Sequence, residues 1–209
     1  TLTTIPEFAK GLFRFDGVQT QPWAFNSLSK EEFFNTKVVD IVIDNKDNVW
    51  LATTTYLLCL EPVTRKLRVI RHFTTTTGER IDVKFLTLAP DQQGGVYGIS
   101  ADGLFYIQAG DTTGKRIKVS DLDEEDGYYR NLIETDKDGT IYLSKGKRIY
   151  RKSPDANAFT LFREITETPL KDVSRLTVGK HTIWCGNYDH SILMGIDKVS
   201  GAYSEYIIQ

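Results

Sequence analysis

The side chains best suited to metal binding or proton transfer are three histidines, His72, His181 and His190. None belongs to an HExxH or Cys-x-x-Cys pattern, the spacings that bring zinc ligands together. His181 falls in a predicted turn. His190 adjoins Asp189 in a predicted loop, where a solvated histidine is favoured over a ligand contact. We therefore predict no metal site and no histidine-based catalytic centre.

Motifs for covalent catalysis and for nucleotide binding are missing as well. The Gly98–Ser100–Gly103 spacing is one residue too long for a nucleophile elbow, and no helix is predicted to follow it. Gly94, Gly95 and Gly98 do not fit GxGxxG, and the sequence has no P-loop. The prediction is a protein that is not an enzyme, with no catalytic residues and no cofactor.

An acidic run, Asp121–Asp126, is the one candidate for calcium. An EF-hand loop needs Gly at its sixth position and Glu at its twelfth. Counted from Asp121, those positions hold Asp126 and Leu132, so the register fails. A solvated loop is the predicted structure, with a noncanonical calcium site as the open alternative.

A basic run from Lys145 to Lys152 spans a predicted hairpin. Successive residues of a strand point to opposite faces, so Arg148 and Lys152 share one face and Arg151 takes the other. Because the charge is split between two faces, we predict that this hairpin is the solvent-exposed outer part of a sheet and not a phosphate or nucleic-acid site.

The composition excludes further classes of protein. The 209 residues are 40% hydrophobic, and the net charge is −2, from 26 lysines and arginines against 28 aspartates and glutamates. Such a charge argues against general binding to nucleic acids or anionic membranes. No apolar run approaches the roughly 20 residues of a membrane span, and no signal-peptide pattern is present. Because the first residue is Thr1 and not Met, we expect a processed or excised piece.

The elements that must position any site come from a repeated string that ends in a large aromatic residue. The copies read DNKDNVW, DQQGGVY, DKDGTIY and VGKHTIW, and they end at Trp50, Tyr97, Tyr142 and Trp184. The spacings of 47, 45 and 42 residues are typical of propeller blades and of some helical arrays. Short runs rich in Val, Ile, Tyr and Phe flank each copy, and long helical periodicity is absent, which favours blades.

Each unit contains four predicted strands, the content of one propeller blade. We predict an all-β fold, a partial β-propeller forming a single unit over 1–209, with about four four-stranded antiparallel blades and half a blade. The half blade covers 11–26, and the blades cover about 38–71, 84–119, 130–163 and 173–208. The one predicted helix, 28–35, is short, and Ser29 and Glu32 have the spacing of a capping box there.

The four aromatic residues are predicted to occupy equivalent positions in the second strands and to pack against neighbouring blades. Cys59 and Cys185 lie in apolar runs of different units. Two cysteines are too few for a disulfide framework. The predicted structure therefore has two buried thiols.

Two segments, DIVIDNKDNVWLATTTYLLCL at 40–60 and TLAPDQQGGVYGISADGLFYI at 87–107, resemble the two-component-regulator propeller repeat. The resemblance covers about residues 11–208 and is to the periplasmic sensor region of Bacteroidetes hybrid two-component systems. It implies tandem propellers followed by a β-sandwich, a membrane span and a histidine kinase. The chain departs from the repeat at SKGKRIY in the third unit and at Val178, which replaces Asp in the fourth.

The resemblance implies a periplasmic, ligand-sensing segment that binds an oligosaccharide. Propellers of this family have about seven blades, so the chain is expected to be a fragment of a longer sensor. Two alternatives stay open: a propeller that mediates only protein contacts or self-association, and, further off, a polysaccharide lyase. No residue matches a catalytic motif of the family, and we expect neither nucleic-acid binding nor membrane contact by this segment.

Loop lengths predict where a ligand binds. The turns between strands one and two and between strands three and four lie on one side of the propeller, here named the turn face. The second-to-third turns and the connections between blades lie on the other side, the loop face, and include the long segments 72–83, 120–129 and 164–172. Long loops on a rigid scaffold often carry binding sites. A sugar-binding site uses aromatic rings that pack against sugar C–H groups and carboxylates that accept hydrogen bonds from hydroxyls. The candidates on the loop face are Tyr56, Asp102, Tyr128, Tyr129, Tyr188 and Asp189, unless the aromatic residues pack between blades.

Four and a half blades cannot close a ring, so the end blades are expected to expose apolar faces. One face is predicted around Trp50 and Val38–Ile43, the other around Trp184 and Ile192–Ile196. Uncapped repeat arrays tend to associate, and a twofold dimer that pairs the open ends is the predicted outcome. The alternative is a cap formed by Thr1–Lys10 and segment 28–37.

Overall fold

The computed structural model of the chain describes residues 13–22, 37–64, 66–108, 110–119, 132–166, 172–187 and 190–207. These ranges contain twenty β-strands and no helix, and hence no helix able to cross a membrane. The predicted helix at 28–35, the acidic run and the segment Thr1–Lys10 lie outside the described residues.

Four blades follow one another along the chain, as the repeat predicts. In each, the strands pair antiparallel in sequence order, from the innermost strand to the outermost. Blade 1 comprises β3 (Val38–Ile43), β4 (Val49–Thr53), β5 (Leu57–Glu61) and β6 (Lys66–Ile70). Blade 2 comprises β9 (Phe85–Pro90), β10 (Val96–Ser100), β11 (Gly103–Ile107) and β12 (Thr113–Ile117). Blade 3 comprises β13 (Leu132–Thr135), β14 (Ile141–Lys145), β15 (Arg148–Lys152) and β16 (Thr160–Glu164). Blade 4 comprises β17 (Arg175–Val178), β18 (Thr182–Asn187), β19 (His190–Asp197) and β20 (Tyr203–Ile207).

The half blade is also present, as the antiparallel pair β1 (Phe13–Phe15) and β2 (Thr20–Pro22). The innermost strands of the blades contact one another in the order β3, β9, β13, β17. Among the described strands, no comparable contact joins β17 back to β3. The four blades therefore form an arc whose first and last members each have one neighbouring blade within it.

The connection 72–83, predicted as a loop, contains two further strands. The strands β7 (His72–Thr74) and β8 (Arg80–Ile81) form a hairpin, and β7 pairs parallel with β12, which extends the sheet of blade 2 to six strands. Phe73 is buried in this position. A Cβ atom at Gly114 would lie 2.4 Å from the Phe73 ring, so the glycine makes room for the added strand. The prediction of a free loop was wrong here because this pairing joins segments about 40 residues apart.

The four aromatic residues occupy equivalent places, as predicted. Each comes directly after a Val or Ile in the second strand of its blade. Each is also paired across the sheet with a residue of the third strand. Trp50, Tyr97 and Tyr142 are buried, whereas Trp184 is half-buried. We refer to these four residues as the anchors.

Each of the first three anchors faces the blade that follows it in the chain. Trp50 packs in a cluster with Phe85 and Phe105 of blade 2. Tyr97 packs with blade 3 residues that include Phe159, and Tyr142 packs with blade 4 residues that include Met194. Three buried clusters of the described residues are thus interfaces between blades. A fourth is the leucine cluster of blade 1, formed by Leu51, Leu58, Leu60 and Leu67.

The open ends differ from the prediction at blade 1. Trp50 is 0% exposed and faces blade 2, so it does not belong to an open face. The outer face of blade 1 is instead that of Leu51 and Leu58, which are buried, and of Ile41 and Ile43 on the innermost strand, which are 49% and 61% exposed. Strand alternation separates the two faces of a sheet, but it does not say which face meets which neighbour.

At blade 4 the open face is centred on Trp184, as predicted. Tyr206, 51% exposed, lies against it with the ring centroids 5.7 Å apart. The prediction was wrong for part of Ile192–Ile196, because Met194 and Ile196 are buried against blade 3. Trp184 therefore has the position of a buried anchor without a following blade among the described residues.

Candidate functional site

Backbone hydrogen bonds define the loop face. In blade 3, the amide of Ile165 donates to the carbonyl of Lys147, and the amide of Val173 donates to the carbonyl of Gly146. In blade 1, the amide of Thr54 donates to the carbonyl of Lys37. Second-to-third turns are thus tied to the connections between blades, which is the arrangement expected for one side of a propeller.

Two of the six predicted ligand residues lie in the described part of the chain. Tyr56 is half-buried against the leucine cluster of blade 1, and the Arg71 guanidinium lies 4.1 Å from its ring centroid. Asp102 is exposed in the second-to-third turn of blade 2, where its amide donates to Ser100 Oγ at 2.9 Å. Asp102 is thus exposed to solvent, whereas much of Tyr56 is used in packing. The other four, Tyr128, Tyr129, Tyr188 and Asp189, lie outside the described residues.

The turn face is built on an aspartate at the start of the first-to-second turn in blades 1, 2 and 3. In blade 1, Asp44 Oδ1 accepts from the amides of Lys46 and Asn48, at 2.8 and 3.0 Å. Asp44 Oδ2 accepts from Asn48 Nδ2 and from Trp50 Nε1, both at 2.9 Å. This buried carboxylate closes the turn and also fixes the anchor, since an indole N–H in a core needs a partner.

The other blades vary this arrangement. In blade 2, Asp91 Oδ1 accepts from the amides of Gln93 and Gly95, and Asp91 Oδ2 accepts from the Tyr106 hydroxyl at 2.5 Å. Blade 4 has no aspartate there, because Val178 replaces it. Lys198 of blade 4 instead forms an ion pair with Asp136 of blade 3 and donates to the Gly179 carbonyl at 2.8 Å.

Neighbouring turns on this face are hydrogen-bonded to one another. Asn45 Nδ2 donates to the Gln92 carbonyl, and Gln92 Nε2 donates to the Lys137 carbonyl at 3.3 Å. Thr135 Oγ1 donates to the Pro90 carbonyl at 2.6 Å. These contacts link blades 1, 2 and 3 in sequence, and the Lys198–Asp136 ion pair continues the series to blade 4.

Two clefts lined by described residues open on the turn face, each between the ends of two blades. The first, about 410 Å³, lies between blades 1 and 2 and is lined by residues that include Lys46, Glu61 and Arg68. The second, about 400 Å³, lies between blades 3 and 4 and is lined by Lys137, Arg151, Lys180 and other polar residues. Both volumes fall within the range of small-molecule sites. Reasoning from loop lengths did not predict either cleft.

The remaining sequence candidates have structural roles. His181 is exposed in the first-to-second turn of blade 4, as predicted, and its carbonyl accepts from the amide of Lys198. The charge of the basic run is split as predicted: Lys152 lies 5.9 Å from the Tyr97 ring of blade 2, whereas Arg151 lies on the opposite face beside Phe162. Among the described residues, no group of three His, Cys, Asp or Glu is arranged to hold a metal ion.

The cysteines are buried and unpaired, as predicted. Burial raises the pKa of Cys185 to about 12. Burial also raises the pKa of Cys59 to about 11, although Arg68 opposes the shift by donating to its Sγ at 3.1 Å. Both thiols stay protonated at neutral pH, which does not suit a nucleophile.

No protein-family model matches the sequence, and no curated protein matches it. Solved structures do match. Over 94% of this chain, the extracellular domain of the hybrid two-component system BT4673 of B. thetaiotaomicron superposes with a TM-score of 0.64 and 18% identity. That of BT3049 from the same organism gives 0.62 and 16% over 94% of the chain. The chain is an array of β-propeller blades like those of these extracellular domains.

The array spans 25% of the length of the BT4673 domain and 27% of that of BT3049. The resemblance inferred from the repeat strings is therefore confirmed at the level of the fold. A propeller enzyme is also similar: a catalytically inactive virginiamycin B lyase from Staphylococcus aureus with quinupristin gives a TM-score of 0.60 at 16% identity, over 87% of this chain and 58% of the lyase. The fold thus occurs both in sensor domains and in a lyase.

Proposed function

We propose that the array is a non-catalytic, ligand-sensing segment of the periplasmic part of a hybrid two-component sensor, and that its ligand is an oligosaccharide. The main support is the fold likeness over 94% of the chain to two extracellular domains of such systems. The rigid blades and the exposed Asp102 on the loop face support ligand binding there. Tyr128, Tyr129, Tyr188 and Asp189 are the proposed partners of the sugar, together with Asp102 and the exposed part of Tyr56.

The first prediction concerns this ligand. A thermal-shift screen of the chain against neutral oligosaccharides is expected to give a saturable stabilisation, because a ligand that binds only the folded state raises its stability. Replacement of Tyr128, Tyr129 and Tyr188 by alanine should weaken the binding about tenfold or more, since aromatic residues dominate such contacts. The same replacement should change the free energy of unfolding by no more than about 1 kcal/mol if the three are surface groups.

The matched control is Val63→Ala, a change at a side chain 95% exposed on the turn face. It should leave oligosaccharide binding unchanged. Unchanged binding by the triple variant would refute the loop-face site. Conversion of quinupristin by the chain, followed by liquid chromatography, would refute the non-catalytic role and favour a lyase.

A second candidate function is self-association, and the specific observation for it is the open face of blade 4. Trp184 is half-buried and Tyr206 is 51% exposed beside it, although the equivalent anchors of the other blades are covered by the next blade. We propose that a second copy covers this face in a twofold dimer, in which the same patch serves both subunits.

The second prediction tests this association. Sedimentation of the chain at micromolar concentrations is expected to show a monomer–dimer equilibrium, and Tyr206→Glu should shift it to monomer because a charge would be buried without a partner. A change at Val199, 92% exposed on the turn face, serves as the control. A monomer of 23.7 kDa at all concentrations would contradict the proposal and favour a cap over the open end.

A further inference from the structure

The cleft between blades 3 and 4 combines groups of both blades at the turn face. Blade 3 contributes Lys137, Asp138 and Arg151, and blade 4 contributes Lys180 and Lys198. The Tyr142 anchor forms part of its wall. These residues belong to two repeat units, and the cleft exists only where the two blades pack together.

Cations outnumber carboxylates in this cleft. Its lining contains four basic side chains, Lys137, Arg151, Lys180 and Lys198, and two acidic ones, Asp136 and Asp138. Lys198 and Asp136 neutralise one another, with side chains 13% and 10% exposed. Lys137 and Lys180 are exposed and form no ion pair with the described residues. The cleft therefore offers positive charge to a ligand.

Tyr142 supplies an unused hydrogen-bond donor at the cleft wall. The side chain is 4% exposed, and among the described residues its hydroxyl has no hydrogen-bond partner. In blade 1 the anchor Trp50 donates to Asp44, and in blade 2 the hydroxyl of Tyr106 donates to Asp91. In blade 3 the corresponding carboxylate is occupied by Lys198, so the Tyr142 hydroxyl remains available. Because Tyr142 lines the cleft, this hydroxyl can donate to a ligand that binds there.

The Tyr142 hydroxyl stays protonated at neutral pH and can act as a donor. Burial and the nearby carboxylates of Asp136 and Asp138 raise its pKa, while Arg151 opposes the shift. Arg151 is held in place over the Phe162 ring, with the guanidinium carbon 4.7 Å from the ring centroid. A planar guanidinium on a fixed support suits a carboxylate, which it can bind through two parallel hydrogen bonds.

Asp138 restricts the class of ligand further. Its Oδ1 accepts from the amide of Thr140 at 2.8 Å, and its Oδ2 has no partner among the described residues. A simple anion would meet this carboxylate with repulsion and would offer it no donor. A ligand with both a carboxylate and hydroxyl groups satisfies the basic residues and Asp138 together.

We propose that the cleft between blades 3 and 4 binds a polyhydroxylated carboxylate, namely a hexuronate unit of an acidic glycan. The sugar carboxylate is held by Lys137, Lys180 and Arg151, the Tyr142 hydroxyl donates to the ligand, and a sugar hydroxyl donates to Asp138. This site is on the turn face and does not depend on the loop-face site.

The cleft between blades 1 and 2 provides the internal comparison. It has a similar volume, but its lining contains only two basic side chains, Lys46 and Arg68, and Arg68 Nε lies 3.6 Å from the Glu61 carboxylate. Lys46 lines that cleft and gives a matched control variant.

The third prediction is tested by titrating the isotopically labelled chain with D-glucuronate, D-glucose, acetate and sulfate, and following backbone amide resonances. Glucuronate is expected to bind saturably, with shifts at Lys137 and Lys180. The K137A/K180A variant should bind it at least about tenfold more weakly, because two charge-assisted contacts are lost. Y142F should weaken binding about fivefold, as expected for one neutral hydrogen bond, and K46A should not change it.

Three results would overturn the proposal. If glucose binds as tightly as glucuronate, the sugar carboxylate is not recognised. If acetate or sulfate binds as tightly as glucuronate, the cleft is a simple anion site. Equal binding by K137A/K180A and the unsubstituted chain would place the ligand elsewhere. The outcome is independent of the loop-face proposal, which is tested with neutral oligosaccharides and with changes at Tyr128, Tyr129 and Tyr188.

Discussion

Replacing Trp50 by alanine is expected to lower the free energy of unfolding by about 3–5 kcal/mol, the usual cost of removing a large buried aromatic side chain. Trp50 is 0% exposed and packs against Phe85 and Phe105 of the next blade. The change also removes the donor to Asp44 Oδ2, which leaves this buried carboxylate oxygen with Asn48 alone. In this fourth prediction, the loss of unfolding free energy has two causes: the cavity left by the indole and the weakened turn at Asp44.

The matched variant is Trp184→Ala at the equivalent place in blade 4. Trp184 is half-buried and has no following blade among the described residues, so the expected loss is about 1–2 kcal/mol. Urea denaturation followed by far-ultraviolet circular dichroism measures both variants, at a concentration low enough to keep the chain monomeric. Equal losses would contradict the view that packing on the next blade provides the stability of an anchor.

Replacing Lys198 by methionine is expected to cost about 3 kcal/mol, the lower end of the range for breaking a buried ion pair. The Asp136 carboxylate, 10% exposed, would lose its charge partner, and the Gly179 carbonyl would lose a donor. Because the ion pair joins blades 3 and 4, this fifth prediction includes earlier unfolding of blade 4. Hydrogen exchange at the amides of β17 to β20 would reveal it.

The second variant, K198M/D136N, removes both charges and should recover most of the lost stability. Arg148→Met is the control for an exposed ion pair, because Arg148 and Glu164 are each 46% exposed at a distance of 3.1 Å. Solvent screens such a pair, so that change should have little effect. A double variant no more stable than K198M alone would show that the ion pair is not the cause of the loss.

The blades could be predicted from the sequence because each depends on local signals. The turn aspartate, the Val or Ile that follows and the aromatic anchor recur at fixed spacing in blades 1, 2 and 3, and blade 4 keeps the Ile and the aromatic anchor. These residues located the second strand of every blade. The outermost strand of blade 2 was less well placed: the blade was predicted to extend to residue 119, whereas this strand lies at Thr113–Ile117. Glycine is a poor strand former, so Gly114 did not indicate a strand. Gly114 makes room for the Phe73 ring, and the residues next to it in the sequence do not reveal this contact.

The turn-face cleft could not be predicted in the same way. Lys137 and Lys180 are 43 residues apart, and each looks like an ordinary exposed turn residue in its own repeat. Their convergence depends on the packing of two blades, which the strand pattern does not specify. One signal was present in the sequence: Val178 stands in blade 4 where the other blades have the turn aspartate. In the structure, Lys198 of blade 4 forms an ion pair with Asp136, the turn aspartate of blade 3.

The direction in which the anchors point has a consequence for synthesis of the protein. Each of the first three anchors is covered by a blade whose own anchor comes 42 to 47 residues later in the chain. At about 5–20 residues per second on the ribosome, each of these anchors is synthesised roughly 2 to 9 s before the anchor of the blade that packs on it. The nascent chain therefore carries one uncovered apolar sheet face at a time, and this face moves toward the C-terminus as translation proceeds. A chaperone that recognises such a face would meet the same surface once per blade.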